Sequence, residues 1–184
     1  MSRQRTTPSQ SPLSQLSKAS QSFQQNPTIL IVEDEPITAK VTRNTLDKLG
    51  YQSSVAKDGQ QAINKLSHDP NAWSILLMDI NMPNLNGLQT TQKLRQQGFD
   101  SERWPIIGYS TSEPCEAEHA CEQMGMNDYL QKPAQQDDLK QTLHHYYLQV
   151  KKVEKQQQLQ SGDQPHQSIE TDEQRGSHQI SLRF

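Results

Sequence analysis

Four places in this chain put chemistry-bearing side chains directly after a short apolar run. Glu33-Asp34-Glu35 follows Thr28-Ile-Leu-Ile-Val32, and Asp79 follows Ser74-Ile-Leu-Leu-Met78. Ser110-Thr111 closes the run that starts at Pro105, and Lys132-Pro133 closes the run that starts at Asp128. Carboxylates gathered in one cleft repel each other and need a counter-charge. A hard cation with oxygen ligands supplies it, and Mg²⁺ favours an octahedron of one or two carboxylates, waters and a phosphate oxygen. Lys132 adds a point charge suited to phosphate, and Ser110 or Thr111 adds a hydroxyl. An aspartate in that setting is a nucleophile toward a phosphoryl donor, because metal and lysine neutralise the incoming charge.

These groups meet only if the runs are strands that end on one edge of a sheet. The strand-like runs are Thr28–Glu33, Tyr51–Val55, Ser74–Asp79, Pro105–Ser110 and Asp128–Lys132. Helical spacing lies between and after them. Ile37, Val41 and Leu49 share one face, and Ala62, Ile63 and Leu66 another. Ala117, Cys121 and Met124 make a third face, and Leu139, Leu143, Tyr146 and Val150 a fourth. Leu88 to Arg95 has the weakest helical periodicity. Pro36 and Pro114 suit first turns, Ser112 suits an N-cap, and Gly50, Gly98 and Gly125 suit helix ends. Gly108 inside the fourth run weakens that strand or admits a close neighbour. Five strands alternating with five helices predict a doubly wound parallel sheet covered on both faces, with ligands outside the carboxyl ends of the strands.

The chain has 184 residues, 31% of them hydrophobic, and a mean hydropathy of −0.93. The apolar residues concentrate in the middle. Residues 1–26 are rich in Ser and Gln and carry no acid, so they are expected to be a disordered tail. Residues 27–150 form the domain. Residues 151–184 are expected to extend the last helix and then become a disordered Gln-rich tail, broken by Gly162, Pro165 and Gly176. A net charge of −3 gives no basic field for nucleic acid. The apolar runs are too short to span a bilayer, and no apolar stretch follows Arg3 and Arg5 as a secretion signal requires. Cys115 and Cys121 are spaced to lie well round a helix from each other, so no disulfide is expected and a cytoplasmic location fits.

Taken together, the motifs are similar to those of the receiver domain of two-component response regulators. Ile29-Leu-Ile-Val-Glu-Asp-Glu-Pro36 resembles its first-strand motif, and Ala56-Lys-Asp-Gly-Gln-Gln-Ala62 its second loop. Leu77-Met-Asp-Ile-Asn-Met-Pro83, followed by Gly87, resembles the phosphoacceptor motif. Pro105-Ile-Ile-Gly-Tyr-Ser-Thr111 and Asp128-Tyr-Leu-Gln-Lys-Pro133 resemble the last two. The resemblance implies a sheet of order 2-1-3-4-5. It implies Asp79 as phosphoacceptor and Mg²⁺ held by Asp34, Asp79 and the main-chain carbonyl of Asn81, with Glu33 acting through water. Lys132 would pair with the phosphoryl group, Ser110 would move toward it, and the Tyr129 rotamer would follow. Thr111 places a second hydroxyl beside Ser110, with the register favouring Ser110. Glu33 and Ser110 stand where Asp and Thr are the commoner residues, and both keep the functional group.

The function implied is a phosphorylation-dependent switch rather than an enzyme. The phosphoryl group comes from a histidine kinase or a phosphotransfer protein, and the last two helices and fifth strand change affinity for a downstream protein. Two other classes fit less well. An aspartyl-phosphate phosphatase needs an acid two residues after its nucleophile, where this chain has Asn81, and a phosphorylation-independent scaffold has no use for the complete site. After Lys132-Pro133 there is no room for an ordinary DNA-binding domain, so the reading is a stand-alone receiver or a piece of a larger protein. The last helix carries Leu139, Leu143, Tyr146, Val150 and Val153 at alternating spacings of four and three. The first part of this stripe is expected to pack on the sheet as a terminal helix does; the alternative is that Val150 and Val153 extend the helix beyond the domain and present a narrow seam to a partner or a second copy for weak self-association.

Overall fold

Val, Ile and Leu pack well on a pleated surface, and a strand buried on both faces needs nearly every position apolar. The computed structural model, which describes residues 27–112 and 114–161, places strands at those runs. They are β1 (Thr28–Val32), β2 (Gln52–Ala56), β3 (Ile75–Met78), β4 (Ile106–Ser110) and β5 (Asp128–Gln131). Helices follow each strand: α1 (Pro36–Lys48), α2 (Gly59–His68), α3 (Gly87–Gln96), α4 (Pro114–Gln123) and α5 (Gln136–Ser161). Among the described residues all strand pairs are parallel and the order is β2-β1-β3-β4-β5, as expected. The terminal tails and the Cys115 side chain lie outside the residues described.

Strand side chains alternate between two cores. Leu30, Val32, Leu76, Met78 and Ile106 face one core with Ala62, Leu66, Leu94, Ala117 and Cys121, so α2, α3 and α4 cover that face. Ile29, Ile31, Ile75, Leu77 and Ile107 face the other with Leu46, Leu139 and Leu143, so α1 and α5 cover it. The order in which strands are added reverses between β1 and β3, and the crevice at that switch point is where a doubly wound sheet binds ligands. Gly50, Gly98 and Gly125 all have positive φ (84°, 93° and 86°), the left-handed turn that ends a helix.

Several expectations are corrected. The face of α1 on the sheet is Ala39, Thr42 and Leu46, while Ile37 and Val41 are 74% and 60% exposed. Apolar spacing alone chose the wrong stripe there, because the small Ala39 and Thr42 fit the close approach to the sheet. The helix of weakest periodicity is real. An Asn86–Gln89 capping box starts α3, and its buried face contains Thr90 and Thr91. Their hydroxyls donate to the carbonyls of Asn86 (2.7 Å) and Gly87 (2.9 Å), so burial leaves no orphan polar group. α4 begins at Pro114, two residues after Ser112, whose hydroxyl is engaged by Asn81 instead of capping. Gly108 serves close approach: a Cβ there would stand 2.8 Å from Cys121 Sγ and 3.2 Å from Met126 Sδ.

The last helix decides between the two readings of its stripe. Val150 is fully buried, so it packs within the domain and is no part of an exposed seam. One turn on, Glu154 pairs with the buried Arg103 at 3.1 Å, and Arg103 also donates to Asn71 at 3.2 Å. The extension of α5 is thereby held against the end of the sheet opposite the strand-end acids. A polar hub lies at the same end. Arg95 donates to the carbonyls of Gly125 (2.9 Å), Phe99 (2.8 Å) and Trp104 (3.0 Å), and to Asn127 Oδ1 (3.0 Å). Asn127 also accepts from Ile106 N, and its carbonyl accepts from the Tyr146 hydroxyl at 2.7 Å.

Candidate functional site

Each candidate side chain leaves the sheet from a strand end that the backbone fixes. Glu33 N donates to Ala56 O at 3.0 Å, continuing the β1–β2 ladder by one residue. Asp79 N donates to Val32 O at 2.9 Å, and Lys132 N to Ser110 O at 2.8 Å. Of the three consecutive acids, Glu35 has a local task. It is the N-cap of α1, accepting from Ile37 N at 3.2 Å, with Pro36 in the first turn behind it. Gly87 lets α3 pass close to the nucleophile's own backbone, since a Cβ there would stand 2.1 Å from Asp79 O.

Glu33, Asp34 and Asp79 converge, each offering a carboxylate oxygen within 4.8 Å of the others. Lys132 Nζ donates to Asp79 Oδ2 at 2.8 Å and to Glu33 Oε2, and it lies 5.3 Å from the centre of the Tyr109 ring. Glu33 is only 4% exposed. Burial pushes its carboxyl above the ordinary range, against the hydrogen bond and charge of Lys132, and the charge of Asp79 adds to the rise. Burial alone would pull Lys132 down. The hydrogen bonds and charges of Asp79 and Glu33 outweigh it and hold the ammonium above its ordinary value. The cluster thus has more negative than positive charge at short range. Its donors are all hard oxygens, which fits a divalent cation of the Mg²⁺ kind.

The remaining groups border this cluster. Asp79 Oδ1 accepts from Asn81 N at 3.0 Å. Ser110 is 1% exposed, and its hydroxyl meets the Asn81 side chain at 3.1 Å. Thr111 is exposed at the rim of the cleft, which has a volume of about 470 Å³ and is also lined by Asp34, Val41, Asp79, Asn81 and Lys132. Tyr129 is buried, and its hydroxyl donates toward the carbonyls of Ser112 (2.6 Å) and Ser110 (3.1 Å). Of the candidate site residues, Glu33, Asp34, Asp79, Asn81, Thr111 and Lys132 line this cleft, and Ser110 and Tyr129 stand behind it, Ser110 through its bond to Asn81 and Tyr129 through its bond to the Ser110 carbonyl. Sequence reasoning missed the contact of Tyr109 with Lys132, and gave Asn81 a role only through its main chain. The one available signal for the latter was its place two residues after Asp79.

Fold and site together define a doubly wound α/β domain with an acidic cleft at the carboxyl ends of its strands. Residues 29–144 match the family model of the response regulator receiver domain, and the chain belongs to that family. A sensor histidine kinase RcsC of Salmonella typhi is 41% identical over 125 residues, which cover 68% of this chain and 13% of that protein. The chain thus spans a small part of the length of that relative. Among solved structures, the receiver domain of sensor histidine kinase PA1611 from Pseudomonas aeruginosa PAO1 has a TM-score of 0.59 and 33% identity. The match covers 66% of this chain and 98% of that one, and that domain carries a magnesium ion coordinated in its active-site cleft. The receiver domain of the Francisella response regulator 1452 has a TM-score of 0.60 and 27% identity, over 68% of this chain and 99% of that one. Among the described residues, no helix is long and apolar enough to cross a membrane.

Proposed function

We propose that this chain is the phosphoacceptor of a cytoplasmic two-component phosphorelay. Asp34, Asp79 and the main-chain carbonyl of Asn81 would hold Mg²⁺, with Glu33 acting through water, and the ion would neutralise charge on the incoming group. The observation that carries the reading is the convergence of Glu33, Asp34 and Asp79 within 4.8 Å of one another, with Asp79 already holding Lys132. A carboxylate oxygen of Asp79 forms the bond to phosphorus as the N–P bond of a donor phosphohistidine breaks. The attacking carboxylate releases no proton, and the leaving imidazole keeps the electron pair of the broken bond. Lys132 turns its ammonium to a phosphoryl oxygen, Ser110 supplies a hydroxyl, and Tyr129 follows Ser110. The face made by α4, β5 and α5 then changes its affinity for a downstream protein. The chain is modified and reset by slow hydrolysis of its own acyl phosphate, so it acts as a switch.

Ile37 and Val41 support a docking site for the donor. They are large, exposed and on the helix whose first turns border the cleft, and Val41 lines it. A helix bearing the phosphohistidine would cover them while its imidazole reaches Asp79. Acetyl phosphate with Mg²⁺ is expected to label the full chain in an acid-stable, base-labile form. Asp79→Asn is expected to abolish the label, and label persisting on that variant would overturn the assignment.

A further inference from the structure

We propose that Asn81 and Ser112 form a latch that holds the Ser110 hydroxyl in its resting position, and that switching requires the latch to open. The inference rests on the reading of Asp79 as phosphoacceptor and Ser110 as the hydroxyl that engages the phosphoryl group. The Asn81 amide nitrogen donates to Ser110 Oγ at 3.1 Å and to Ser112 Oγ at 3.0 Å. The two serine hydroxyls are 3.3 Å apart, and Ser112 N lies 3.4 Å from Ser110 Oγ. A serine hydroxyl has one proton and two lone pairs. Either hydroxyl of the Ser110–Ser112 pair can donate to the other; with Asn81 and the Ser112 N–H on the lone pairs of Ser110, its proton is assigned to Ser112 Oγ. No valence of this buried hydroxyl is left for a phosphoryl oxygen unless the contact with Ser112 breaks.

A backbone tie holds the strand end in place while side chains move: Lys132 N donates to the Ser110 carbonyl at 2.8 Å. The Tyr129 hydroxyl, which donates to the Ser112 carbonyl at 2.6 Å in the resting arrangement, gives up that bond when Tyr129 follows Ser110. Asn81 connects the latch to the acceptor, because its own N–H donates to Asp79 Oδ1 at 3.0 Å. A group added to Asp79 therefore disturbs the residue that clamps Ser110. Asn81 and Ser112 are positioning residues: they act on the switch through Ser110.

The test is calorimetric titration of beryllofluoride, a mimic of the phosphoryl group, into the Mg²⁺-saturated full chain. Ser112→Ala removes one neutral hydrogen bond from the resting state, so its affinity for beryllofluoride is expected to rise about two- to tenfold. Its affinity for Mg²⁺ alone is expected to stay at the wild-type value. Ser112→Thr keeps the hydroxyl and is expected to keep wild-type affinity. In a Ser110→Ala background, Ser112→Ala is expected to change nothing, since the latch has nothing to hold. Asn81→Ala is expected to raise beryllofluoride affinity relative to its own Mg²⁺ affinity. Unchanged or weaker binding in Ser112→Ala, or an equal gain without Ser110, would overturn the latch while leaving the phosphoacceptor reading intact. A wild-type chain that takes up no beryllofluoride would overturn both.

Discussion

Replacing Lys132 by Ala should leave an already acidic site dependent on metal for its neutralisation. The ammonium donates to Asp79 Oδ2 at 2.8 Å and to Glu33, and all three side chains are nearly buried. Without it, two buried carboxylates face each other with no cation among the partners they now have. Removing one member of a buried ion pair costs about 3 kcal/mol at the lower end of what such deletions show. For a domain of this size that corresponds to a fall in Tm of roughly 10 °C without metal. A cation present at a hundred times its Kd adds about 2.7 kcal/mol to the folded state. In the variant Mg²⁺ takes over the neutralisation that Lys132 supplied. It should therefore bind about tenfold tighter, and its stabilising increment should exceed that of the wild type by about 1.4 kcal/mol. Thermal melts followed by circular dichroism, with and without Mg²⁺, measure both quantities. A variant with wild-type stability in the absence of metal and a wild-type increment in its presence would refute the reasoning.

Three further outcomes follow from other parts of the molecule. Arg95→Met should cost about 3 kcal/mol in urea unfolding, because it strips donors from the carbonyls of Gly125, Phe99 and Trp104 at once; a loss below about 1 kcal/mol would count against the hub. Burial, helped by Asp128, pushes the Tyr146 phenol from 10.0 up to about 12, so the stability it adds is full below pH 10 and is lost as pH rises through 12. Tyr146→Phe should therefore lose stability less steeply over that window, and equal slopes in melts across it would contradict the assignment. Ile37→Ser with Val41→Ser should alter stability by less than about 0.5 kcal/mol and leave labelling by acetyl phosphate unchanged, yet slow transfer from a protein donor. Equal slowing with both donors would place the defect in the site rather than on the docking surface.

What could be read from the chain alone was what depends on one residue's relation to its neighbours in sequence. Runs such as Ile29 to Val32 and Ile75 to Met78 declare buried strands, and the residue after such a run must stand at a strand end. Glu33, Asp34, Asp79, Ser110 and Lys132 are therefore placed on one sheet edge by the sequence alone, and the alternation of elements makes the sheet parallel. Whatever depends on distant partners was hidden. Thr90 and Thr91 look like surface residues until their hydroxyls turn back on α3, and Ile37 and Val41 look like core residues until Ala39 and Thr42 take the contact with the sheet. Val150 reads equally as a core position or as the start of a seam, and only its enclosure within the domain, with Glu154 held by Arg103 one turn on, decides between them. Asn81 and Ser112 are 31 positions apart, as the sequence separation of their hydrogen bond records, and nothing local to either foretells that they share Ser110. Periodicity reports whether a side chain meets water or protein. Which polar atom it meets there is fixed only when the strands close into one sheet and bring loops from different crossovers together.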